Sequence, residues 1–136
     1  MPSKSQISVE YLMVMGFAAL MTVPLMVVYY TYTADSTDAV AAGQSLQIAR
    51  RIVDSAESVY YLGKPSQTTL KVNFPDKIDS INLSNREVVF NVKTRVGMAE
   101  IVQVSAVNLS GSLPTGQGLH VITITADDGF VNIKSN

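Results

Sequence analysis

The chain has no cysteine, a single histidine and few charges, and each shortage removes a class of function. Without cysteine, its 136 residues hold no disulfide, no thiolate metal site and no cysteine nucleophile. A domain outside the cell would therefore have to be stable without covalent staples. The one histidine, His120, has no second imidazole or thiol near it in the sequence to complete a zinc site, and no serine motif accompanies it. No metal site and no catalytic constellation is readable, so the chain reads as a non-enzyme without a cofactor. Charged residues make up 15% of the total, well below the usual quarter of a soluble domain. The formal net charge is −1, and the one adjacent pair of cations is Arg50-Arg51. The basic stripe of a nucleic-acid binder is missing.

What the chain has is a long apolar run. From Tyr11 to Ala34 the only ionisable side chains are tyrosines, which are neutral at pH 7. As a helix rising about 1.5 Å per residue, that run extends about 36 Å. This is enough to cross a hydrocarbon core of about 30 Å with some tilt. A cleavable secretory signal has a shorter apolar region, about 7–15 residues, followed by a small-residue site. No such site stands between Thr31 and Asp35, so a retained signal anchor fits better. Lys4 lies before the run, with Asp35 and Asp38 after it, which puts the N-terminus on the cytoplasmic side and the rest outside. Tyr29, Tyr30 and Tyr32 cluster where an aromatic belt at the outer interface belongs. Pro24 removes a backbone donor inside the run and predicts a kink.

One carboxylate, Glu10, stands at the N-terminal end of this apolar company. A charge at mid-membrane costs about 2.5–3.5 kcal/mol or more and tends to mark function. The plainer alternative places Glu10 at the membrane interface, close enough to water to stay charged.

Beyond Asp35 the pattern becomes amphipathic. Ala39, Ala42, Leu46, Ala49, Val53, Ala56 and Tyr60 recur at steps of three and four, a single helix face. Val40, Ile52 and Val59 widen it, and Gly63 and Pro65 end it. One helix is therefore expected from about Ile7 to Leu62. After Pro65 the period falls to two: Leu70–Phe74, Ile81 with Leu83, Val88–Val92, Val102 with Val104, Ile122 with Ile124, and Val131 with Ile133. About six short strands follow, with turns at Asn85-Arg86 and Asp127-Asp128-Gly129. Gly111 to Gly118 has the glycines of a phosphate loop but neither its lysine nor a following helix, and reads as a flexible loop. Asp76 and Asp79 read as loop carboxylates. Asn82-Leu-Ser84 and Asn108-Leu-Ser110 are N-glycosylation sequons. The expected fold class is α+β: a long N-terminal hydrophobic then amphipathic α-helix, followed by a small antiparallel β-sheet or sandwich domain.

The residues Lys4-Ser5-Gln6-Ile7-Ser8-Val9-Glu10 resemble the class III signal peptide of archaeal type IV pilin-like proteins. That pattern is a basic residue, a small residue, then Gln-x-Ser-x-Glu-x-x-x-Leu. Ser5 stands where the family usually has Gly, and Val14 answers to the last Leu. The resemblance implies that a prepilin peptidase recognises Lys4, Ser5, Gln6, Ser8 and Glu10 and cuts between Ser5 and Gln6. Residues 1–5 are then a leader, 6–34 the membrane or filament-core half of the helix, 35–63 the half that packs on the head, and 66–136 an extracellular β domain. It also implies a journey from the cell membrane into a surface filament, a type IV pilus used in cell adhesion, in which copies of the chain assemble as a homo-oligomer. Cleavage would leave an ammonium group on Gln6 that Glu10 of a neighbouring copy can pair with. Such a pair fixes register more than it adds stability. The alternative is a membrane-anchored extracellular β domain that binds a ligand or partner and never polymerises.

Overall fold

The computed structural model describes residues 4–136, and the chain divides into two compact units after Ser36. The architecture is α+β. Helix α1 (Lys4–Leu62) precedes seven strands: β1 (Gln67–Phe74), β2 (Ile78–Ser84), β3 (Glu87–Thr94), β4 (Gly97–Val104), β5 (Leu109–Ser112), β6 (Gly118–Ala126) and β7 (Val131–Ser135).

The first unit is helical throughout its described residues, and the helix continues through Pro24. Its large apolar side chains are exposed, from Ile7 at 55% to Tyr32 at 73%. Three threonines within this apolar surface are internally satisfied. Thr22, Thr31 and Thr33 donate their hydroxyls to the carbonyls of Ala18, Val27 and Tyr29, at 2.7, 2.9 and 2.9 Å. A threonine bonded to the carbonyl four residues back presents a methyl group rather than an unmet donor, so these hydroxyls need no water.

In the second unit, the α1 residues from Thr37 onward supply one wall of the core. Ala41, Ile48, Ala49, Ile52, Val53, Ala56 and Val59 are buried and share one cluster with the strands. This stripe is turned from the expected one: Ala39 is exposed, Ala42 and Leu46 are half-buried, and Ser45 is fully buried. Ser45 can lie inward because its hydroxyl donates to the Ala41 carbonyl at 2.9 Å, which removes the cost of burying an unpaired polar group.

The strands form two sheets, ordered β1-β6-β7-β5 and β2-β3-β4. In β1 the alternation works as written: Val72 and Phe74 point inward while Lys71 and Asn73 are exposed. The central strand β3 buries Val88, Phe90 and Val92, and Phe74 meets Phe90 edge-on at 6.1 Å. Two details differ from the sequence reading. Among the described residues there are seven strands, because Leu109–Ser112, half assigned to a flexible loop, is β5, and it pairs in parallel with β7. Asp79 belongs to β2, at a bulge, and its carboxylate pairs with Lys93 at 2.6 Å.

Polar contacts clip the two ends of this helical stretch to the strands. Near its start, Asp38 accepts a hydrogen bond from the Arg95 backbone N–H at 2.8 Å and pairs with Lys77. Further along, Glu57 accepts the Ala106 N–H at 2.8 Å. Past the helix end, Lys64 bridges Asp127 at 2.8 Å and Asp128 at 3.1 Å. The Arg95 N–H and then the Lys77 ammonium hold the Asp38 carboxyl below its ordinary range. Asp127, hydrogen-bonded first by Lys64 and then by the Asp128 N–H, is lowered too, while Lys64 is raised by Asp127 and Asp128.

A lowered carboxyl stabilises the fold fully above its unfolded value, near 4, and that contribution is lost as pH falls through the folded value. Asp38→Asn is therefore expected to lower the melting temperature at pH 7 and to flatten its decline between about pH 5 and 2. Thermal melts of both proteins across that window check this; an identical decline would show that Asp38 carries none of it.

Candidate functional site

The candidate site is the first turns of α1. Here the structure places Lys4, Gln6, Ser8 and Glu10 on one continuous helix, all exposed. Of the proposed leader, residues 1–3 lie outside the described residues, and so does the side chain of Ser5. Gln6 and Glu10 are four residues apart, so they share a helix face, as do Lys4 and Ser8. The first turn holds no acidic residue and carries Lys4 at the positive end of the helix dipole, an unfavourable placement.

Glu10 makes no ion pair with another described residue, so its carboxylate faces outward among exposed Ile7, Val9, Tyr11 and Val14. Farther along, Tyr29 and Tyr30 meet edge-on at 6.0 Å. By length and composition the helix is long and apolar enough to cross a membrane, and its most apolar stretch is unburied. An exposed apolar surface of this extent calls for a cover. Lipid or other apolar helices can supply it.

The remaining sequence candidates are spread over the second unit. Asn82 is exposed on β2 opposite Val89. Asn108 is exposed just before β5, its amide nitrogen only 3.4 Å from the Gly129 carbonyl, a weak tie. Both amides are open to modification. The half-buried His120 packs its ring on Phe74, centroids 4.8 Å apart, and its Nε2 meets the Gly116 carbonyl at 2.7 Å. It therefore anchors the loop before β6. The turn carboxylates Asp127 and Asp128 are both paired with the Lys64 ammonium. Among the described residues no group of three or more His, Cys, Asp or Glu is placed to hold a metal. The sequence reading missed the three self-bonded threonines of α1; the signal was a threonine in an apolar helix, whose hydroxyl reaches only the carbonyl one turn back. Compared with known proteins, the chain matches no protein family, no curated protein and no solved structure.

Proposed function

We propose that the chain is a structural subunit of an archaeal type IV pilus-like surface filament, made as a membrane precursor and cut before Gln6. The observation that carries this reading is the pairing of two features on α1: an exposed apolar surface, and, four residues past the proposed new N-terminus, a carboxylate with no ion pair to another described residue. A lipid anchor needs only the first feature. A bundle of identical helices uses both, because the apolar faces cover one another and the acid finds the ammonium group of a neighbour. The threonine pattern suits either cover. Exposed Asn82 and Asn108 fit a surface location, where glycans would coat the strands.

Cleavage tests the reading first. Membranes containing the full chain, incubated with an archaeal prepilin peptidase, are expected to yield a product that begins at Gln6. Ser5→Gly, which restores the residue usual in the resembled motif, is expected to be cut faster. N-terminal sequencing of both reactions decides: two uncut chains favour the non-polymerising anchored domain.

A further inference from the structure

We infer that a groove between α1 and β1 in the second unit is a binding site for an acidic saccharide. The groove has a volume of about 320 Å³, at the small end of ligand pockets. Two cations face it, Arg51 from α1 and Lys71 from β1, and its lining includes no carboxylate. Elsewhere the lysines of this unit are largely engaged: Lys64, Lys77 and Lys93 each pair with an aspartate. Arg51 and Lys71 make no ion pair or side-chain hydrogen bond with another described residue. Two uncompensated cations on facing walls make a local positive field in a chain whose net charge is −1.

The rest of the lining narrows the ligand. Gln44, Gln47 and Asn73 each offer an amide donor and a carbonyl acceptor, which complements a hydroxyl, itself both donor and acceptor. Gln44, Gln47 and Arg51 follow helical spacing and so present a row along one side of α1. Buried Ile48 and Val72 form an apolar floor, and Leu119, 70% exposed, forms an apolar rim. That is a surface for the C–H face of a sugar ring.

Nucleic acid fits poorly, because the lining has no aromatic ring for a base to stack on. An extended peptide fits less well than a sugar, since β1 contributes only Lys71 to Asn73 to the groove, short of a usual strand of about 5–6 residues. The inference does not depend on cleavage or polymerisation.

Titration of the full chain in a non-ionic detergent, followed by calorimetry, tests it. The probes are a uronic acid disaccharide, its uncharged counterpart of the same linkage, and a tetraglutamate peptide. The acidic disaccharide is expected to bind, more weakly as salt rises, and its neutral counterpart roughly tenfold less tightly. Arg51→Gln and Lys71→Gln are each expected to weaken binding by roughly tenfold, as for loss of a hydrogen bond to a charged group. Arg50→Gln, outside the lining, should leave it unchanged. Thermal melts should confirm that these three variants and the Arg51→Gln, Lys71→Gln double variant stay folded. Absence of binding, equal binding of the neutral sugar or the peptide, or full affinity in the folded Arg51→Gln, Lys71→Gln double variant would overturn the assignment.

Discussion

Gly111→Ala is expected to be the most damaging small substitution in the second unit, costing about 3–5 kcal/mol. Gly111 lies in β5 opposite Ile133 of β7. Its φ is +136°, and an added Cβ would stand 1.9 Å from the Ile133 carbonyl oxygen and 2.8 Å from its carbonyl carbon. Both obstacles are backbone, so no side-chain rotation relieves them. The strands must part, and β5 is held in its sheet by β7 alone. For a domain of this size the melting temperature should fall by more than about 10 °C. Gly129→Ala is the control: its φ is +82° but nothing lies within 4 Å of the added carbon, so only the left-handed strain of about 1–2 kcal/mol applies. Gly43→Ala, in open space on α1, should raise stability by up to about 1 kcal/mol. Equal melting temperatures for Gly111→Ala and Gly129→Ala would show that β5 does not pack as described.

Glu10→Leu is expected to abolish filaments while leaving the precursor in the membrane. The substitution removes a charge that opposes insertion, so any loss of assembly cannot be a loss of insertion. In the assembled bundle it would strand the Gln6 ammonium group in apolar surroundings. Deleting one member of a buried pair costs roughly 3–5 kcal/mol, more than about a hundredfold per contact. Glu10→Gln, which keeps shape and hydrogen bonding but not charge, should be intermediate. The readout is the ratio of sheared filament to membrane-bound subunit by immunoblot, taken on subunit that N-terminal sequencing shows to be cut before Gln6, since Glu10 also belongs to the motif the peptidase would read. Filaments at the native ratio in the Leu variant would remove Glu10 from assembly.

Local physics made much of this molecule legible in its sequence. The helix end at Leu62, the strand phases of Val88-Phe90-Val92 and Ile122-Ile124, and the turns at Asn85 and Asp128 all follow from side-chain period and turn chemistry within a few residues. What escaped depends on distant partners. The helix stripe was misjudged because Ser45 looks polar in sequence but spends its hydroxyl on its own helix. Strand β5 reads as loop because its glycine is demanded by Ile133, 22 residues away, rather than by its neighbours. The partners of Asp38, at Lys77 and Arg95, and of Lys64, at Asp127 and Asp128, also lie far along the chain. Arg51 and Lys71 face one groove only because β1 lies beside α1. The candidate cleavage and assembly residues, by contrast, form one short motif, and everything that distinguishes them is local.

The most direct test takes material sheared from the cell surface, images it by electron microscopy and weighs its subunit by intact mass spectrometry. The account predicts filaments built from a chain that starts at Gln6, with any added mass located at Asn82 or Asn108. A dispersed surface protein that retains Met1 and stays monomeric when concentrated would contradict it.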